Sequence, residues 1–398
     1  MSVPLPSPSR RARRVVDSHQ IVAAAFRLAG LFILGAASWS LYRAFDSGSW
    51  WGPLHTFMAG AVLLAISGAT QLFSVTWAAS VPPDPRLAAT QRWFLALGVV
   101  AVIAGVVGEV TALVVVGTAL VVLGLLLLAW ILIGVRRRSL LKRFGLSSRF
   151  YVLGITAGTI GVTLGGLLGS GIGGSRYLDF RTAHMHLNLV GLVGFTIVGT
   201  LPTILPTMVR HKMVSGREAV VGFWLSAFAL ALMAAGALAG PVVVGVGCGL
   251  AGAGAAATLI GILARLGIPK LLSSGLPAAL VSAGSAWFIG WTVLRSVSLV
   301  GGHQAIWSRA TAVGVGGVAL VLFGSLAYLV PVLAGPGSNL AANFERMRGS
   351  PWARFALANG AVAAAALGLP GAVALVLGAA FLTDFGIRTI AVLTRGRR

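Results

Sequence analysis

The chain has 398 residues, 57% of them hydrophobic and only 10% charged, with 30 Lys and Arg against 8 Asp and Glu for a formal net charge of +22. So apolar a composition excludes a soluble single-core globule, and one cysteine, Cys248, allows neither a disulfide framework nor a CxxC metal site. Apolar runs of about twenty residues follow one another along most of the sequence, each able to cross a hydrocarbon layer of roughly 30 Å, which predicts an all-α polytopic membrane protein.

Residues 1–20 read as a basic cytoplasmic tail carrying Arg10, Arg11, Arg13 and Arg14. A twin-arginine export signal needs one apolar core, a cleavage site and a mature domain, whereas many more spans follow, so the run reads as a topology anchor. Twelve spans are predicted, at 21–42, 55–78, 91–108, 111–135, 151–169, 184–208, 219–240, 241–263, 277–300, 310–333, 353–369 and 371–393. They form one transmembrane domain over 21–393 that divides into three four-helix repeats, about 21–135, 151–263 and 277–393, followed by a second basic tail over 394–398. Fifty-four glycines suit such a domain, because helices in lipid associate through small residues that let backbones approach.

The repeats rest on a recurring phrase, His-x4-Gly-x7-Gly, which reads HTFMAGAVLLAISG from His55 and HLNLVGLVGFTIVG from His186. The stretch GSLAYLVP from Gly324 repeats the Gly-x6-Pro of GTLPTILP from Gly199, so the second, sixth and tenth spans share one template at a period of about 130 residues. Prolines Pro202, Pro206 and Pro331 free carbonyls inside the sixth and tenth spans and predict kinks there.

Basic residues set the orientation. With both termini cytoplasmic, Arg136, Arg137, Arg138, Lys142, Arg143 and Arg149 fall inside with the two tails. So do Arg86/Arg92, Arg210/Lys212/Arg217, Arg265/Lys270 and Arg346/Arg348/Arg354, while the opposite loops hold only Arg43, Arg176, Arg181 and Arg309, with Arg295 as a candidate fifth. This is the positive-inside asymmetry of a multi-pass protein of the cell membrane. The charge therefore reports topology and contact with anionic lipid; the bilayer is the expected partner and nucleic acid is not.

That orientation gives each histidine a depth. His55, His184 and His186 fall at the outer ends of the second and sixth spans and His303 in the outer connection before the tenth, while His19 and His211 lie among the cytoplasmic basic residues. Imidazole ligates copper and haem iron, so His55 and His186, aligned by the repeat, are the candidate cofactor ligands, and His55, His184, His186 and His303 the candidate metal set. His184 and His186 stand about 200° apart around a helix, so both face one partner only if the helix begins between them. Acidic residues are few: Glu109 falls in the turn between the third and fourth spans, and Asp384 and Arg388, one helical turn apart, neutralise each other. Beyond Ser67, Thr70, Gln71 and Thr76 of the second span no polar series crosses the bilayer, which argues against a proton pump.

Twelve spans in three sets, with histidines at the outer ends of the second and sixth, resemble subunit I of the haem-copper oxidases and the related NnrS-type membrane proteins. The stretches HTFMAGAVLLAISGATQLF, AHMHLNLVGLVGFTIVGTLPTILPTMVRHK and VALVLFGSLAYLVPVLAG are similar to the membrane part of actinobacterial proteins in which such a domain accompanies a copper nitrite reductase or multicopper oxidase domain. The resemblance covers about a fifth of the chain. It implies haem and/or copper near the outer face, a role in respiratory, nitrogen-oxide or copper metabolism, and a cupredoxin-type or oxidase partner. In that family His55 would match a haem ligand and His186 or His184 a copper ligand, but the seventh and tenth spans hold no histidine, and Thr311 stands at the aligned position of the tenth. The alternative is a permease or membrane scaffold that kept the fold without cofactors.

Overall fold

The computed structural model describes residues 8–46, 48–139, 144–212, 216–302, 307–334 and 339–395, all of their regular structure helical. Among the described residues eleven helices are long and apolar enough to cross a membrane. Large apolar side chains point outward from them, with Leu31, Leu34, Trp130, Trp224 and Leu294 each more than half exposed, as lipid contact requires. The protein is thus an all-α polytopic membrane protein.

The chain forms two compact units, 1–199 and 200–398. Helices α1 (Pro8–Arg43), α2 (Trp51–Trp77), α3 (Pro85–Val107), α4 (Thr111–Arg137) and α5 (Gly145–Gly169) lie in the first, with most of α6 (Gly174–Met208). The second holds α7 (Arg217–Ala239), α8 (Pro241–Leu266), the short α9 (Ile268–Ser273), α10 (Leu276–Val300), α11 (Trp307–Ala334), α12 (Leu340–Arg348), α13 (Pro351–Leu367) and α14 (Gly371–Arg395). Within each unit neighbours in sequence pack together, as α1 on α2, α3 on α4 and α5 on α6, then α7 on α8 and α10 on α11.

Three differences from the predicted elements have local causes. The basic tail is helical from Pro8, so α1 runs unbroken from it through the first span. The predicted span 353–369 is a 17-residue helix closed by Gly368 in the left-handed conformation, and at 1.5 Å per residue it reaches about 26 Å, short of a full crossing. Arg295 is no loop residue but sits inside α10, only 2% exposed. The turn at Glu109 is as predicted, with φ +56 and the Val110 amide bonded to the Gly105 carbonyl at 2.8 Å. Helices α6 and α11 continue through Pro202, Pro206 and Pro331.

Glycines set the packing. A Cβ at Gly98 would lie 2.8 Å from the Gly117 carbonyl oxygen and one at Gly117 2.6 Å from the Val102 amide, so α3 and α4 touch backbone to backbone. At the arginine-rich end of this pair two serines exchange bonds: the Ser80 hydroxyl donates to Val135 O at 2.9 Å and the Ser139 hydroxyl to Ala78 O at 3.1 Å. Each covers a carbonyl that the end of a helix leaves unpaired. Reporter fusions after Arg138 are expected to read as cytoplasmic and fusions near Tyr177 as external; the opposite pattern would put the histidines on the cytoplasmic face.

Candidate functional site

The two helices carrying the histidine phrase are the most enclosed spans, with 83% of the apolar window of α2 and 94% of that of α6 buried, against 28–33% for α1, α3, α4 and α5. Shielding from lipid is what lets them carry polar side chains. Both change geometry directly after the aligned histidine: α2 is α-helical through His55 and then a π-helix over Thr56–Val62, and α6 is α-helical through His186 and then a π-helix over Leu187–Gly194. A π turn takes one extra residue and is rare outside functional segments.

The glycines of the phrase are contact points. A Cβ at Gly60 would run into the Phe32 ring and one at Gly68 would lie 2.9 Å from the Ala25 Cβ, both on α1. A Cβ at Gly191 would lie 2.5 Å from the Ala157 Cβ, and one at Gly199 would collide with Phe150, both on α5. On α11, Gly317 and Gly324 meet α10 in the same manner, at Phe288 N and Val281 N. The partners are seven residues apart in all three cases, yet the glycines are eight apart on α2 and α6 and seven on α11, which has no π turn. The extra residue is absorbed between the two contacts.

His55 donates from Nδ1–H to Trp51 O at 2.8 Å, and its ring stacks on Trp51 with centroids 4.0 Å apart. His186 makes the same kind of bond, Nδ1–H to Thr182 O at 2.7 Å, and is fully buried. His184 instead reaches across to α5, where its Nδ1–H donates to Gly161 O at 2.7 Å. A carbonyl only accepts, so all three rings carry their proton on Nδ1, which leaves the Nε2 lone pair for other use. Asn188 Nδ2, 3.3 Å from the His184 Nδ1, therefore makes no bond there and donates to His184 O at 2.8 Å. The seat of His184 is cut by glycine: a Cβ at Gly165 would lie 2.5 Å from its ring, and one at Gly161 2.5 Å from Asn188 Nδ2.

The result is a histidine pair. The rings of His55 and His184, both half-buried, have centroids 6.3 Å apart and planes 10° from parallel. His184, the less favoured of the two by repeat alignment, is the one that meets His55, its ring seated on the glycine groove of α5. His303 lies outside the described residues. Among the described residues no group of three or more His, Cys, Asp or Glu is placed to hold a metal ion.

A buried polar network lies further along α2. Ser67 donates to Gln91 Oε1 at 2.8 Å, Gln71 Nε2 approaches the same oxygen at 3.3 Å, and Gln91 Nε2 donates to Gly124 O at 3.2 Å. It ties α2 to α3 and α4, which gives Ser67 and Gln71 of the second span a structural role. Gln91 is the member that the sequence did not signal, since it belongs to no polar series along its span.

No family model matches the chain, and no curated protein sequence is similar to it. Neither comparison ties it to the haem-copper oxidases or to the NnrS-type proteins.

Proposed function

We propose that the protein binds haem or copper between His55 of α2 and His184 of α6, within its membrane domain, and works in respiratory, nitrogen-oxide or copper metabolism. The observation that carries this reading is the histidine pair with both protons fixed on Nδ1. The two rings stand near one another, with centroids 6.3 Å apart and planes nearly parallel, and each keeps an Nε2 lone pair that could be offered to an ion between the two helices. Two neutral imidazoles are a donor set for haem iron or copper.

When bound, either metal would supply one-electron chemistry. The residues of the chain have separable tasks. The carbonyls of Trp51 and Gly161 hold the Nδ1 protons and orient the rings, as outer partners of metal-bound histidines do. The Trp51 ring covers a face of His55 and limits its exposure. The Gly161 and Gly165 groove gives His184 its place.

Purified full-length protein is expected to show either a Soret band or stoichiometric copper by metal analysis. His55→Ala and His184→Ala should each lower that content at least about tenfold, with membrane insertion kept. His186→Ala should retain the cofactor, because the ring beside that of His55 is that of His184. Unchanged, or absent, haem and copper in wild type and variants alike would leave an interfacial histidine pair stacked on tryptophan, and the permease or scaffold reading would replace this one.

A further inference from the structure

At the arginine-rich end of the first unit lies a cavity of about 380 Å³, far along α2 from the histidines. It sits where α2 and α4 end and α5 begins, beside the serine exchange that joins Ala78 to Ser139. Arg136, Arg137 and Arg149 are exposed on its rim. Among the described residues no carboxylate pairs with any of the three.

Inside, the lining is polar and unsatisfied. Ser74 of α2 and Ser148 of α5 line the cavity, each residue 2% exposed, and neither hydroxyl has a hydrogen-bond partner. Most serines and threonines inside helices satisfy themselves by donating to a carbonyl one turn back, as Thr70 and Thr258 do. Gly145, the first residue of α5, also lines the space, and the residue capping that 25-residue helix is Phe144, whose side chain offers no acceptor to the first-turn amides. Two buried donors, a positive helix end and three unpaired guanidinium groups converge on one space.

We propose that this cavity binds a phosphate anion, most directly the headgroup phosphate of an anionic phospholipid in the leaflet that this end of the protein meets. The serine hydroxyls and the start of α5 would hold phosphate oxygens, and the arginines would supply charge and bidentate bonds from the rim. A free phosphate in solution presents the same oxygens, so the two sources need separate probes.

The test uses the full-length protein in detergent, titrated separately with dihexanoyl phosphatidylglycerol, dihexanoyl phosphatidylcholine and inorganic phosphate, and read by native mass spectrometry and melting temperature. Phosphatidylglycerol should bind best, and Ser148→Ala and Arg149→Gln should each weaken it about tenfold, the scale of one charge-assisted hydrogen bond. Arg149 is exposed, so its variant reports even if Ser148→Ala fails to fold. Arg138→Gln removes one charge from the same end but lines no part of the cavity, and should leave binding unchanged. Inorganic phosphate binding as tightly as the lipid, with the same losses, would uphold the phosphate site and assign it to a soluble anion. No anion binding, or an equal loss in Arg138→Gln, would overturn the proposal.

Discussion

Replacing Asp384 by Asn is expected to destabilise the second unit by about 3 kcal/mol, the lower end for breaking a buried ion pair because the carboxylate is 33% exposed. Two guanidinium groups depend on that carboxylate. Arg388 Nε bonds both of its oxygens, at 3.0 and 3.1 Å, from one turn along α14. Arg354, only 2% exposed, places Nε 2.6 Å from Oδ2, an ion pair by distance whose angles fall outside a hydrogen bond, and anchors itself by donating from Nη1 to Met347 O at 2.6 Å. Asn keeps the shape and removes the charge, leaving Arg354 as a buried cation without an anion. Arg388→Met should cost less, about 1 kcal/mol or below, since that side chain is 28% exposed and Asp384 keeps Arg354. Thermal melting of the detergent-solubilised variants checks the ranking, and equal losses would show that Arg354 does not draw on Asp384.

Gly117→Leu is expected to do still more damage, preventing recovery of monodisperse protein. Its side chain would begin 2.6 Å from Val102 N and 2.7 Å from Gly98 O, and backbone atoms inside a helix cannot rotate away as a side chain would. Overpacking of a core costs about 1–3 kcal/mol when side chains can adjust, and more when they cannot. Gly134→Leu on the same helix is the control, because the nearest neighbour of its Cβ is the Arg138 guanidinium at 3.6 Å. Size-exclusion profiles should separate the two variants; a monodisperse Gly117→Leu would mean that α3 and α4 can move apart without loss.

What could be read from residues alone follows the range of each interaction. Hydrophobic runs place helices wherever a span is long, and they fail only at 353–369, where a 17-residue helix ends at Gly368. The Asp384–Arg388 pair was legible because both partners share one helix at a spacing of four, whereas Arg354 is thirty residues away on another helix and nothing in the sequence joins it to them. The histidines divide in the same way. Repeat alignment pairs His55 with His186, and both rings bond the carbonyl four residues back. Which histidine meets His55 is decided instead by glycines on α5, which open a groove for His184. That is a property of a third helix, and no pattern within the second and sixth spans contains it.

The π turns after His55 and His186 bear on the angle at which the helices present their first residues. One extra residue in a helix rotates everything on one side of it by about 100° relative to the other. The glycine contacts fix the later portions of α2 and α6 against α1 and α5, so the rotation falls on the segments that carry His55, His184 and His186. Without the extra residue, Trp51 and His55 would turn about a quarter of a circle away from their present direction while the packed portion stayed in place. In α11, whose contact glycines Gly317 and Gly324 are seven apart, the segment before them keeps the plain α-helical phase, and five residues before the first of them it carries Ala312, where the other two carry histidine. Imidazole and extra residue thus occur together or not at all among these three helices, which makes the aim of the histidines a matter of residue count as much as residue type.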